Sequence, residues 1–167
     1  MSKKSVLISI QPQWCKLIAN GEKTLEVRKT KPKLNTPFKV YVYCTTGNVL
    51  ARLGMRRYYF NAPRSSEKKL ANSGSQILNG KVIGEFTCDT IKCMDIPYPA
   101  YSGELDRWYI EKSCINYGTL HEYCGHGNLY FWHISNLKIY DKPIPLADFK
   151  GGLKRPPQSW CYINEEE

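Results

Sequence analysis

Residues 9–28 read Ser9-Ile10-Gln11-Pro12-Gln13-Trp14-Cys15-Lys16-Leu17-Ile18-Ala19-Asn20-Gly21-Glu22-Lys23-Thr24-Leu25-Glu26-Val27-Arg28, and three backbone habits follow one another within them. The branched aliphatic run Val6 to Ile10, bounded by Ser5 and Pro12, is a strand. Pro12 then suits a first helical position, Trp14, Leu17 and Ile18 share a face at helical spacing, and Asn20-Gly21 is a C-terminal stop, which predicts a short helix. From Lys23 to Arg28 the pattern alternates, with Leu25 and Val27 on one face and Thr24, Glu26 and Arg28 on the other. A strand, a short helix and a second strand with a polar face are therefore packed into little more than twenty residues.

Working outward, a basic turn over 29–37 leads to Phe38-Lys39-Val40-Tyr41-Val42-Tyr43-Cys44, which alternates as a strand. Residues 47–80 break the pattern and read as a long basic insertion, with a helical turn around Ser66 to Leu70 that Ser65 could cap. Lys81 to Thr90 is the next strand, with Val82, Gly84, Phe86 and Cys88 on one face and Ile83, Glu85 and Thr87 on the other. Past Pro97 and Pro99, Ser102 can cap a helix running to about Cys114, and Thr119 to Tyr123 adds one turn. Asn128 to Tyr140 is a long or bent strand, and Ser159 to Ile163 is the last. Five or six strands with two or three short helices predict an α+β fold, a small mixed β-barrel, as a single domain over 1–167 with the basic insertion at about 47–80. No internal repeat is visible.

With 42% apolar and 13% aromatic side chains, the 167 residues are neither a disordered nor a collagen-like chain. At this length folding buries roughly 70% of the extended surface, so stability needs no disulfide or metal. The formal charge is +9, and it is unevenly spread. Residues 1–39 hold nine basic and two acidic side chains and 47–80 hold six and one, whereas 81–167 hold nine and twelve. All the excess positive charge lies in the first half, which favours a polyanionic partner, with plain solubility as the alternative.

No apolar run approaches the roughly 18 residues of a membrane span, and the run after Met1-Ser2-Lys3-Lys4 is too short for a secretory signal. A cytoplasmic location and no membrane partner are expected. Seven scattered cysteines suit reduced thiols. His121, Cys124 and His126, with Cys114 upstream, are zinc-type residues whose spacing matches no structural zinc pattern, so no metal is expected. No dinucleotide fingerprint, phosphate-cradling glycine loop or nucleophile elbow is present, and no cofactor is expected.

The set Ser9-Ile10-Gln11-Pro12, Trp14, Ile18, Gly21, Lys23-Thr24, Glu26 and Arg28 resembles the signature of the ASCH domain, a member of the PUA-like superfamily, and prophage-encoded members look most similar. The strand Val82 to Phe86 and the stretches Lys142 to Leu146 and Pro156 to Trp160 carry the resemblance further. It implies a small barrel with a cleft beside the Gly-x-Lys segment, in a family linked with RNA binding and RNA metabolism. One branch consists of bacterial N(4)-acetylcytidine amidohydrolases, whose catalytic set is a Lys, a Thr three residues later, and a Glu. Lys23 matches that set, but Glu26 stands where the Thr belongs. Thr24 is the nearest hydroxyl, and strand alternation turns it away from Lys23 unless the chain is still turning after Gly21. Glu85 and Glu104 are the candidates for the later carboxylate.

Two functions follow. The first is binding of RNA through a basic cleft, with Trp14, Arg28, Lys29, Arg56, Arg57, Tyr58 and Arg155 as binding residues; Arg56-Arg57-Tyr58-Tyr59-Phe60 pairs cations with aromatics, as phosphate gripping and base stacking require. The second is hydrolysis, with Lys23, Thr24, Glu26 and Glu85 as catalytic residues, on RNA or on a modified nucleoside such as an acylated pyrimidine. For RNA cleavage Glu26 would act as base and Lys23 or Arg28 as the cation on the phosphorane. The alternative is that Lys23, Glu26 and Arg28 are a structural ion-pair set and Glu85 a cross-strand partner.

Overall fold

The strand Lys4–Ile10 (β1) is buried on both faces, with Val6, Leu7 and Ile8 all fully inaccessible, so its sequence is a continuous apolar run rather than an alternating one. The computed structural model describes residues 3–53, 58–97 and 104–165, the first three of the last span by backbone alone. After β1 come α1 (Pro12–Ala19), β2 (Leu25–Arg28), β3 (Phe38–Cys44), β4 (Val49–Leu53), β5 (Tyr58–Ala62), α2 (Glu67–Asn72), β6 (Gln76–Ile77), β7 (Lys81–Met94), α3 (Glu104–Ser113), α4 (Tyr117–Cys124), β8 (Leu129–Pro145) and β9 (Trp160–Asn164). Six strands form one mixed sheet in the order β2-β8-β7-β3-β1-β9. Among the described residues only β1 and β3 pair in parallel, and α1 with β2 supplies the crossover that a parallel pair demands.

The α+β class is as expected, but the barrel is not: among the described residues the sheet is open, with β2 and β9 as its edges. The reason is visible in Arg28. Where backbone pairing of β2 would begin to close the ring, its guanidinium reaches across instead, donating from Nη2 to Ser9 O at 2.6 Å and from Nη1 to Ser159 Oγ at 3.2 Å. A side chain bridges the seam, and the seam stays open as a cleft.

The segment 47–80 is likewise not a loop. Its described residues form a three-stranded antiparallel sheet, β5-β4-β6, with α2 between β5 and β6, and the chain then returns to the main sheet in β7. Leu50 of β4 and Tyr59 of β5 are buried in the same core as Cys15 and Ile18 of α1. Asn79 fastens its base, accepting from Leu50 N at 2.7 Å and donating to Thr45 O and Asn48 O at 3.0 and 2.8 Å. The helix begins one residue later than expected, with Ser66 rather than Ser65 at its cap and no side-chain capping bond. The one-turn expectation at Thr119 to Tyr123 is a longer helix, α4, whose cap Asn116 Oδ1 accepts from Thr119 N at 2.9 Å. Ser102 lies outside the described residues.

Alternation divides the core between the two sheet faces. Val6, Ile8, Val40, Val42, Phe86 and Trp132 pack towards α1, while Leu7, Tyr41, Tyr43, Val82 and Phe149 pack on the opposite side. In β7 the expected single face does not hold: Val82 belongs to the second group, but Ile83, Phe86 and Cys88 belong to the first. A register shift between Val82 and Gly84 inserts the extra residue that turns the strand over. A third group, Leu25, Val27, Leu120, Cys124 and Phe131, fixes β2 against α4 and so sets the wall of the cleft.

Candidate functional site

The cleft encloses about 400 Å³, within the roughly 300–1,000 Å³ range of small-molecule sites. It opens past the carboxyl ends of the two parallel strands, with Ser9 and Gln11 at the end of β1 and Thr45 just after β3, the usual location of ligands in open sheets. Trp14 comes from α1, Lys23, Glu26 and Arg28 from β2 and its approach, Thr119 and Tyr123 from α4, and Gln158 from the turn before β9.

At its floor lies a row of three charges. Lys23 is 2% exposed and Glu26 5%, so neither belongs to a half-solvated sheet surface. Lys23 Nζ donates to Ser113 O at 2.7 Å, stands 3.6 Å from Glu26 Oε2, and lies 5.2 Å from the centre of the Trp14 ring. Arg28 Nε donates to Glu26 Oε1 at 2.9 Å. One carboxylate is therefore shared between an ammonium and a guanidinium, leaving the row with one net positive charge. Burial lowers the Lys23 pKa from its ordinary value, and the facing Glu26 charge offsets this only in part.

Lys23 reaches this position because the chain is still wrapping the end of α1. Gly21 takes a left-handed φ of +77°, and both Glu22 N and Lys23 N donate back to Leu17 O at 2.9 and 3.1 Å. Regular alternation begins only at Leu25, so Lys23 and Glu26 can meet although strand geometry alone would separate them. Thr24 is tied by its backbone, its N–H donating to Lys112 O and its carbonyl accepting from Ile134 N, both at 2.9 Å. It is not among the residues that line the cleft.

Of the residues singled out from sequence, the cleft brings together Trp14, Lys23, Glu26 and Arg28. Lys29 sits at the rim, its Nζ 4.8 Å from the centre of the Tyr123 ring. Glu85 lies elsewhere in the sheet, accepting from Tyr140 Oη at 2.5 Å with Lys39 Nζ at 3.7 Å. Tyr58 is 60% exposed on β5, its ring stacked with Phe60 at 6.3 Å, and Arg155 is exposed in the turn before β9. Arg56 and Arg57, and the side chain of Glu104, lie outside the described residues. Sequence reading passed over Thr45, Thr119, Tyr123, Gln158 and the Ser113 carbonyl. The position of Thr45 after a parallel strand was a usable signal, but the α4 residues carried none.

His121 Nδ1 lies 2.7 Å from Ile96 O and Cys124 Sγ donates to Gly127 O at 3.0 Å. Among the described residues no group of three or more His, Cys, Asp or Glu side chains converges, and no helix is long and apolar enough to cross a membrane.

No family model matches the chain, and no curated protein does. Solved structures do. The ASCH protein of Zymomonas mobilis is 19% identical over 96% of this chain and 88% of its own, with a TM-score of 0.63. Its serine-to-alanine mutant matches at 18% identity over 98% and 91%, with a TM-score of 0.64, and its tyrosine-to-phenylalanine mutant at 18% over 96% and 91%, with 0.63. The open mixed sheet and the four helices among the described residues thus have the fold of the ASCH domain.

Proposed function

We propose that this chain binds single-stranded RNA and seats one unpaired base in the cleft at Trp14, Lys23, Glu26 and Arg28. The observation that carries this reading is the pairing of two aromatic rings, Trp14 and Tyr123, with a buried ammonium–carboxylate–guanidinium row in one open cleft. A base offers a flat face for the rings and hydrogen-bonding edges for charged and amide groups such as Glu26 and Gln158. The excess positive charge of the first half of the chain supports a polymeric, phosphate-bearing partner. The seven unpaired thiols suit a reducing compartment, the cytoplasm.

A mobility shift of end-labelled single-stranded RNA at graded salt tests this, with Lys23→Ala and Trp14→Ala proteins alongside. A salt-sensitive shift that weakens in both variants is expected. No shift, or one indifferent to both substitutions, would refute it.

One observation favours a second reading, hydrolysis. Lys23 holds its proton less firmly than an exposed lysine and touches a carboxylate in a walled cleft, an arrangement suited to acid–base work. On RNA, Glu26 would take the 2′-hydroxyl proton as that oxygen attacks phosphorus, Arg28 would stabilise the phosphorane, and Lys23 would protonate the 5′-oxygen as its bond to phosphorus breaks. On an acylated pyrimidine nucleoside an amidohydrolase would need a nucleophile, and the hydroxyls that line the cleft are those of Ser9, Thr45, Thr119 and Tyr123 rather than that of Thr24. Shortened RNA or deacylated nucleoside, absent with Lys23→Ala, is the expected sign of this chemistry.

A further inference from the structure

The turn that follows β2 carries Lys29, Lys31 and Lys33, all exposed, while Pro32 is buried and Leu34 packs on the core. Every second residue from Lys29 to Lys33 is therefore an exposed lysine, and two residues of chain span at most about 7 Å, the scale on which phosphates recur along a stretched single strand. None of the three ammonium groups forms an ion pair among the described residues. Glu165, the carboxylate just past β9, is held by Lys150 and Tyr41.

A row of lysines kept only for solubility has no need of a fixed path, yet this one is fixed at two points. Trp160 Nε1 donates to Thr30 Oγ1 at 3.0 Å, and Lys33 N donates to Tyr162 Oη at 2.7 Å. Trp160 is itself packed against the fully buried Trp132, ring centres 6.2 Å apart. The row begins at the cleft mouth, where Lys29 covers the Tyr123 ring, and ends beside Tyr162, which is 40% exposed with Lys4 Nζ 5.4 Å from its ring centre. Fixing the backbone that carries the lysines before the ligand arrives lowers the entropy lost on binding.

We infer that Lys29, Lys31 and Lys33 form a phosphate track that carries the sugar–phosphate backbone of single-stranded RNA from the cleft towards Tyr162, whose exposed face stacks a second base. This rests on the base-binding reading of the cleft. It also assigns polymer binding to the turn after β2 rather than to the segment 47–80.

The test is the anisotropy of a labelled ten-nucleotide single-stranded RNA at graded salt. The proteins are wild type, the triple variant Lys29→Ala/Lys31→Ala/Lys33→Ala, its all-arginine counterpart, and Lys68→Ala/Lys69→Ala on the exposed side of α2. The triple alanine variant should bind roughly 10- to 100-fold more weakly near 0.1 M salt, with a log–log salt slope shallower by about 2. The arginine variant should retain binding, and the α2 variant should change less than about threefold. Triple-variant binding equal to wild type, with Trp14→Ala still weakened, would overturn the track and leave the cleft reading standing. Equal loss per charge in the α2 variant would mean diffuse attraction and also overturn it. No binding by wild type would overturn both.

Discussion

Lys23 Nζ stands 3.6 Å from Glu26 Oε2, and the two side chains are almost wholly withdrawn from water at 1% and 7% exposure. Such a pair is costly to break by halves, because the surviving charge stays buried. Here Arg28 remains on Glu26 when Lys23 is lost, so the penalty falls below that of an isolated pair. Lys23→Ala is expected to destabilise the protein by about 2–3 kcal/mol in urea unfolding, and Lys23→Met, which keeps the apolar stem packed under Trp14, by less. A Lys23→Ala protein as stable as wild type would show that the pair carries no structural role.

The same lysine predicts a pH dependence. Its folded pKa is lowered from the ordinary 10.5, first by burial, so the folded protein gives up this proton before the unfolded chain does. The unfolded state then binds more protons throughout the window between the folded pKa and 10.5, and stability rises with pH there. Wild type should gain on Lys23→Met as pH increases through that window. Taking the difference removes the contributions of tyrosines such as Tyr41, whose raised pKa works in the opposite direction.

At the acid end the group to watch is Glu165. Burial alone would raise its carboxyl, but hydrogen bonds from Lys150, Tyr41 and Ser5 outweigh that and hold it down to about 2. Its stabilisation is complete above the ordinary value of 4.5 and is lost as pH falls from there to about 2. Urea midpoints across this range should decline less steeply in Glu165→Gln than in wild type.

What could be read from the residues alone, and what could not, divides along a physical line. β1, α1, β3 and β9 were legible because local pattern and burial agree, as in Phe38, Val40, Val42 and Cys44, which alternate and are all buried on one face. The sheet in 47–80 was not. Its strands are two to five residues long and depend on partners such as Asn79, nearly thirty positions from Leu50. The face of Val82 was misjudged because a bulge leaves no mark in composition. In the cleft, Trp14 through Arg28 could be found because they are neighbours in sequence. Thr119, Tyr123 and Gln158 could not, since only packing of β2 on α4 and the bridge from Arg28 to Ser159 bring them there.

Gly84 tests the β7–β8 pairing that supports this arrangement. A Cβ added there would lie 2.4 Å from Lys138 O and 3.1 Å from Ile139 Cα, and both are backbone atoms of the paired strand, unable to yield locally. Gly84→Ala should lower stability by about 2–3 kcal/mol, read as a shifted denaturant midpoint. An unchanged midpoint would mean that the two strands separate there more easily than their register implies.

The most direct test of the central claim is a titration of ¹⁵N-labelled protein with a short single-stranded RNA, followed through backbone, Trp indole and Arg Nε signals. Base binding in the seam predicts that the Trp14 indole, Arg28 Nε and the amides of Thr45, Thr119 and Gln158 shift together, with Tyr58 and Phe60 on β5 unmoved. Shifts confined to β5 and α2, or none at all, would contradict it.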